Sequence, residues 1–190
     1  MAFSLDRIIF IALITLAISV TSSLGRRDKS DIEKDLRDLC SQTNRTKECL
    51  SIIKSELNTF QDTDGSKGVA GVVIDLAIAK AREIHDYLNR LYGGSKDEDL
   101  KFKYITCSKN YNDANRNLGL VKKMLDSNRN YRFIAVEIND TVQELKGCIL
   151  EFSKDPFDPA HIRDRNKEFG LYLEIATVST NRLLQEKNRN

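Results

Sequence analysis

The chain has 190 residues, enough for one domain with a sizeable hydrophobic core. Charged residues make up 31% of it and aromatic residues 7%, a composition typical of a well-solvated helical protein and not of a disordered one. Because the 30 basic and 28 acidic residues are mixed without any run of Lys or Arg, the sequence gives no indication of nucleic-acid binding.

The N-terminus has the residue order of a secretory signal peptide. A basic residue precedes an uncharged apolar run, Ile8–Val20, and small residues follow it. The run is shorter than the roughly 20 residues that span a bilayer. We therefore expect residues 1–24 to be removed, by cleavage between Ser22 and Gly25, and residues 25–190 to be an exported domain without a membrane anchor. An uncleaved anchor is the alternative.

Two short helices are predicted next. Ser30 or Asp31 would cap a first helix that ends near Cys40, and a polar turn over 42–46 leads to a second helix that reaches Phe60. These two helices would form a small hairpin. Residues 62–68 have the composition of a loop.

Four longer helices follow, each recognised by apolar residues at steps of three and four. The first begins at Val69 and ends at Gly93-Gly94, a helix-terminating pair. The second carries an unbroken heptad seam: Leu100, Tyr104, Cys107, Tyr111, Ala114, Leu118, Val121 and Leu125. After a turn over 127–130, the third carries Tyr131, Ile134, Ile138, Val142, Leu145, Ile149 and Phe152. A connection over 154–162 contains both prolines, and the last helix carries Phe169, Tyr172, Leu173, Ala176 and Leu183 before a charged tail that we expect to fray. The pattern predicts an all-α fold, an antiparallel four-helix bundle with an N-terminal helical hairpin.

The four cysteines are expected to form two structural disulfides, because an even number in an exported chain is typical of disulfide bonding. Residues equidistant from the turn of an antiparallel hairpin lie at the same height. Cys40 and Cys49 are equidistant from the first turn, and Cys107 and Cys148 from the turn over 127–130. Pairing Cys49 with Cys107, which would leave Cys40 to pair with Cys148, would place the midpoint of Cys49 and Cys107 at Ile78, inside a predicted helix. We therefore predict Cys40–Cys49 and Cys107–Cys148.

Two sequons are compatible with export: Asn44-Arg45-Thr46 and Asn139-Asp140-Thr141. We expect Asn44, in the predicted turn, to be glycosylated. Asn139 lies in the middle of a predicted helix, where an unmodified surface asparagine is the expected state.

Several stretches of the chain resemble the plant invertase inhibitor and pectin methylesterase inhibitor family. The spacing of Cys40 and Cys49, with Thr43 between them, is similar to the first disulfide signature of that family. The stretch 71–81 is similar to its first bundle helix, and the pattern Cys107-x-x-x-Tyr111-x-Asp113-Ala114-x-x-x-Leu118 is similar to its second disulfide region. Cys148, Phe152 and the last helix over 166–184 complete a likeness that covers essentially the whole mature chain.

This resemblance implies a secreted helical bundle that inhibits an enzyme by protein–protein contact. The target would be pectin methylesterase or acid invertase, in the apoplast or cell wall, with the vacuole as a less favoured place. We favour pectin methylesterase because the Pro-Lys-Phe tripeptide of some invertase inhibitors is absent, and Pro156-Phe157 is not equivalent to it. The chain also departs from the family by lacking a Tyr-Pro before Cys49 and a Ser/Ala-rich run before Cys148.

Other classes of function have weaker support. No nucleophile, phosphate loop or metal-ligand spacing accompanies His85 or His161, so we expect no catalytic residue, no cofactor and no metal ion. A secreted helical signal or ligand carrier is the remaining alternative. The target-binding residues cannot be assigned from sequence; Asn112, Asn115 and Arg116, beside the seam, are candidates, each more simply explained as an ordinary solvated position.

Overall fold

The computed structural model describes residues 28–61, 63, 65–153 and 157–189. The predicted signal peptide, residues 1–24, lies outside the described residues. Within these ranges the chain contains helices and no β-strand. The helices are α1 (Lys29–Ser41), α2 (Thr46–Ser55), α3 (Leu57–Gln61), α4 (Gly65–Gly94), α5 (Glu98–Ser127), a 3₁₀ turn (Tyr131–Phe133), α6 (Ile134–Ser153) and α7 (Ile162–Arg189). No helix in the described part of the chain is both long and apolar enough to cross a membrane.

Helices α4 to α7 form the predicted antiparallel four-helix bundle. Helix α5 packs on α4 and α6, and α7 packs on the other sides of the same two helices. Every residue of the predicted α5 seam is buried, none of them more than 7% exposed. The seam therefore provides the centre of the core, as its unbroken heptad spacing predicts.

The inward face of α6 differs from the prediction at two positions, while Ile134, Ile138, Leu145 and Phe152 are buried as predicted. Ile149 is 41% exposed and Val142 only half-buried, whereas Thr141 and Cys148 are fully buried. The hydroxyl of Thr141 donates to the carbonyl of Glu137 at 2.8 Å, so a polar side chain is accommodated in the core without an unmet hydrogen bond. The spacing of apolar residues could not identify Thr141 as a buried position, because threonine is polar.

The N-terminal hairpin packs along α7. Asp38 pairs with Arg182 at 2.6 Å, and the backbone N–H of Asn44 donates to the carboxylate of Glu174 at 2.6 Å. The prediction of its details was partly wrong, because the cap of α1 is Asp28, which accepts from the amide of Ser30. The predicted second helix is broken at Glu56 into α2 and α3. At the far end of the chain, α7 is helical to Arg189 and does not fray where we expected.

Helix α4 begins at Gly65, inside the stretch predicted to be a loop. Gly65 has φ of +57°, a left-handed conformation that glycine adopts without strain, and the helix continues from it. Gly68, one turn later, approaches Thr63 so closely that an added Cβ would lie 2.7 Å from the Cβ of Thr63. The glycines that suggested a loop therefore permit a tight entry into the helix.

We expect Gly68 and Gly71, in the first two turns of α4, to respond in opposite ways to substitution by alanine. Gly68→Ala forces Thr63 away and should lower the free energy of unfolding by about 1–3 kcal/mol. Gly71→Ala meets only the end of Lys122 at 4.0 Å and should raise stability by about 0.5–1 kcal/mol, because alanine favours a helix interior. Urea denaturation measures both. Equal effects of the two substitutions would contradict the close approach at Gly68.

Candidate target-binding surface

A disulfide joins the two helices that carry the candidate surface. The Cα atoms of Cys107 on α5 and Cys148 on α6 lie 4.6 Å apart, and those of Cys40 and Cys49 in the hairpin lie 5.6 Å apart. These are the two pairs that the hairpin arithmetic predicts. Beside the Cys107–Cys148 bridge, the side-chain amide of Asn110 lies against Gly147, so α5 and α6 are in close contact there.

Most of the large apolar side chains that the described residues expose lie at one end of the bundle. Phe102 is 63% exposed and Leu150 is 66% exposed, and both lie on the solvent side of the disulfide-linked pair. We call this region the apolar end: Tyr92, Phe102, Ile105, Ile149, Leu150 and Phe157. A concentration of exposed apolar residues on a monomer is typical of an interaction site.

Contacts beneath the apolar end hold its elements together. The ring of Tyr104 on α5 stacks on that of Phe152 on α6, with centroids 6.1 Å apart. Tyr87 on α4 donates to the carbonyl of Ala160, which anchors the connection between α6 and α7. At the start of α5, Lys101 donates to Glu98 at 2.7 Å, and this contact raises the pKa of Lys101.

The apolar end continues into an outward stripe on α5. Phe102, Ile105, Lys109, Asn112 and Arg116 are all exposed and follow one another at steps of three and four. Two of the polar candidates from the sequence, Asn112 and Arg116, therefore share a face with the exposed aromatic ring of Phe102. A mixture of aromatic, aliphatic and polar side chains on one rigid face is common in protein interfaces.

The sequence candidates differ in their local contacts. Asn112 is exposed on the stripe, whereas Asn115 is half-buried and accepts a hydrogen bond from the Nε of Arg82 at 3.2 Å. Arg116 pairs with Asp113 at 3.1 Å. Asn115 thus helps to join α5 to α4, and Asn112 and Arg116 are the two that face solvent.

Carboxylates gather where α5 and α6 meet beside the stripe. Glu144 on α6 lies near Asp113 on α5 and Asp140 on its own helix. Partial burial is the main reason that the pKa of Glu144 is raised above its ordinary value of 4.5, and Asp113 raises it further. The arginine of the stripe, Arg116, lowers it, but by less than burial and Asp113 together raise it.

We expect Glu144→Gln to stabilise the protein at pH 7 and to leave its stability unchanged well below pH 4.5. The folded protein holds the proton of Glu144 more tightly than the unfolded chain does. The free energy of unfolding therefore falls as the pH rises from the ordinary pKa of 4.5 through the raised pKa of the folded state. The neutral amide removes this penalty. Thermal unfolding of both proteins at pH 3 and pH 7 measures the effect, and an equal or lower midpoint for the variant at pH 7 would contradict it.

One polar cluster that sequence reasoning missed joins α4 to α5. Nδ1 of His85 lies 2.9 Å from the carbonyl of Ser108, and Nε2 lies 3.0 Å from the amide of Asn89. The hydroxyl of Ser108 donates to Oδ1 of Asn89 at 2.6 Å. Because Ser108 is only 2% exposed and its hydrogen is held by Asn89, the cluster is built as a helix-to-helix clamp rather than an accessible nucleophile.

The other residues singled out in the sequence, His161, Asn44 and Asn139, lie outside the apolar end and the outward stripe of α5. His161 is in the left-handed conformation before α7 and lies 3.5 Å from Asp164. Asn44 is exposed in the hairpin turn and Asn139 is exposed on α6. In the described ranges, no three His, Cys, Asp or Glu side chains are grouped so that they could hold a metal ion.

Comparison with known proteins identifies the family. Residues 34–183 match the family model described as plant invertase/pectin methylesterase inhibitor. The chain belongs to this family. A pectinesterase inhibitor from Actinidia deliciosa is 28% identical over 176 residues, which covers 92% of this chain and 93% of the relative. The cell wall / vacuolar inhibitor of fructosidase 2 from Arabidopsis thaliana is 29% identical over 120 residues, 63% of this chain and 64% of the relative.

Solved inhibitor structures share the fold of this family member. A mutant form of a pectin methylesterase inhibitor from Arabidopsis superposes with a TM-score of 0.66 at 18% identity, covering 75% of this chain and 93% of that one. A second, from Arabidopsis thaliana, gives a TM-score of 0.58 at 18% identity, covering 78% and 95%. At this identity the likeness establishes the helical-bundle fold alone.

Proposed function

We propose that this chain inhibits a pectin methylesterase by stoichiometric protein–protein binding. The observation that carries the proposal is membership of the inhibitor family, together with a pectinesterase inhibitor that matches along nearly its whole length. The inhibitor supplies no chemistry in this mechanism. It covers the carbohydrate-binding cleft of the enzyme and keeps the substrate out.

The apolar end and the outward stripe of α5 are the surface that we assign to this contact. Phe102 and Leu150 offer large exposed side chains that gain free energy when a partner covers them. Asn112 and Arg116 add polar groups next to them. Because the Cys107–Cys148 bridge fixes α5 against α6, the surface is formed before binding and loses little conformational entropy in the complex.

A titration tests the proposed target. The chain from Gly25 onward, produced under oxidising conditions, is added in steps to a purified plant pectin methylesterase at an enzyme concentration well above the dissociation constant. We expect activity to fall linearly and to reach its minimum near one inhibitor per enzyme. A folded, oxidised chain that leaves the activity unchanged would overturn the proposal.

Acid invertase is the second candidate target. The fructosidase inhibitor from Arabidopsis thaliana is 29% identical over 120 residues, an identity close to that of the pectinesterase inhibitor but over a shorter stretch. The same titration against a purified acid invertase separates the two. Loss of invertase activity without loss of methylesterase activity would assign the chain to the second target.

We also propose that the protein acts outside the cell, in the apoplast, after removal of residues 1–24. The signal-like N-terminus supports this proposal, and the two disulfides are of a kind that persists in oxidising compartments. Asn44 is the proposed glycosylation site because it is exposed in a turn. Asn139, although exposed, is in the middle of α6, and we propose that it is unmodified.

A further inference from the structure

The end of the bundle opposite the apolar end is basic. Helices α5 and α7 finish there, and the turn between α5 and α6 lies between them. We call this region the basic end: Lys123, Arg129, Arg132, Lys187 and Arg189, all exposed. We propose that the basic end binds a polysaccharide that carries carboxylates, of the kind that pectin becomes when its methyl esters are removed.

Contacts between these segments place the end of α7 against the turn that carries Arg132. The ammonium of Lys187 on α7 lies 4.0 Å from the centre of the Tyr131 ring, in the turn after α5. The guanidinium of Arg132, in the same turn, lies 4.7 Å from the ring of Phe133. Ser66, in the first turn of α4, donates to Glu186, which brings the start of α4 to the same place.

The cations of the basic end are available to a ligand. None of the five forms an ion pair with a carboxylate among the described residues. Two carboxylates lie near these cations along the helices: Asp126 is 3.6 Å from Lys122, and Glu186 accepts a hydrogen bond from Ser66. Both keep their negative charge, and the five cations outnumber them. An excess of exposed positive charge creates a local field that attracts an anionic polymer.

Both the chemistry of the surface and its setting favour a polycarboxylate. Phe133 is 40% exposed beside Arg132, so an apolar ring lies next to positive charge. A sugar polymer with carboxylates offers both an apolar ring face and negative charge at each unit. Removing a methyl ester from pectin leaves one such carboxylate, so the identity of this ligand rests on the proposed function; the binding itself does not require the enzyme.

Binding to immobilised polygalacturonate, without any methylesterase present, tests the inference. We expect the protein to bind polygalacturonate at low salt, to bind fully methyl-esterified pectin much more weakly, and to lose affinity as the salt concentration rises. The double substitution Arg129→Glu with Arg132→Glu should weaken binding at least about tenfold. A second one, Lys123→Glu with Lys187→Glu, should do the same, which guards against a local folding effect in either.

A matched control separates the basic end from net charge. Lys47→Glu with Lys96→Glu changes the net charge by the same amount at exposed positions away from this surface, and should change the affinity less than about twofold. Equal losses in the control and the test variants would overturn the inference, and so would equal binding to the esterified and the free polymer. Tighter binding to duplex DNA or to anionic vesicles than to polygalacturonate would also overturn it. Because these measurements contain no enzyme, a negative result leaves the titration of methylesterase unaffected.

Discussion

Replacing Cys107 and Cys148 together by alanine is expected to lower the free energy of unfolding by about 4 kcal/mol. The bridge closes a loop with a sequence separation of 41 residues, and losing it gives the unfolded chain the conformational freedom of that loop. Both cysteines are fully buried, so the double variant also leaves a small space in the core. Changing both residues avoids a free thiol that would complicate the result.

The hairpin bridge is the internal control for this prediction. Removing Cys40 and Cys49 opens a separation of only 9 residues, and the expected loss is about 2.7 kcal/mol. Urea denaturation of the two double variants at the same pH compares them. A smaller loss for the Cys107–Cys148 variant than for the hairpin variant would contradict the assigned role of the longer bridge.

Replacing Phe102 by glutamate is expected to raise the inhibition constant for the target by at least about 30-fold, a loss of about 2 kcal/mol or more. Phe102 is the exposed aromatic residue of the outward stripe, and a charge at its place could not be desolvated by a partner. The exposed position means that folding should be unaffected, which the thermal midpoint verifies. Titrating the variant against the methylesterase measures the loss.

A control at the other end of the bundle separates loss of the Phe102 contact from the general effect of an added negative charge. Val136 is 50% exposed near the start of α6, and Val136→Glu introduces the same charge on an apolar surface position. Inhibition by this variant should stay within about threefold of the original, because substitutions at surface positions outside an interface change free energies little. Loss of inhibition in Val136→Glu with full inhibition in Phe102→Glu would move the target surface to the opposite end.

The sequence predicted the parts of the fold that depend on local periodicity. The α5 seam is buried along its whole length because its spacing is regular and all of its members are apolar or aromatic. The expected cysteine pairs also follow from symmetry about short turns, which needs no knowledge of the core. Where a polar residue is buried, as Thr141 is, residue type gives no signal, and the prediction chose the neighbouring Val142 instead.

Features built from separate segments were beyond the sequence. The basic end consists of cations from the end of α5, the following turn and the end of α7. Because they are separate in sequence, no continuous run of basic residues indicates this surface. The cluster of His85, Asn89 and Ser108 likewise needs the register between α4 and α5. Asn112 and Arg116 were candidates from the sequence. That they share an exposed face with Phe102 follows from which side of α5 is exposed, and the structure shows that side.

The length of α5 has a consequence for how many partners the protein can hold at once. Its 30 residues extend over about 45 Å, so Phe102 and the turn that follows Ser127 are separated by most of the long dimension of the molecule. An enzyme on one end would leave the other end accessible, and the rod need not bend to carry both. A bridge of this kind would retain the inhibitor close to the polymer on which its target works, raising its local concentration without any new contact to the enzyme.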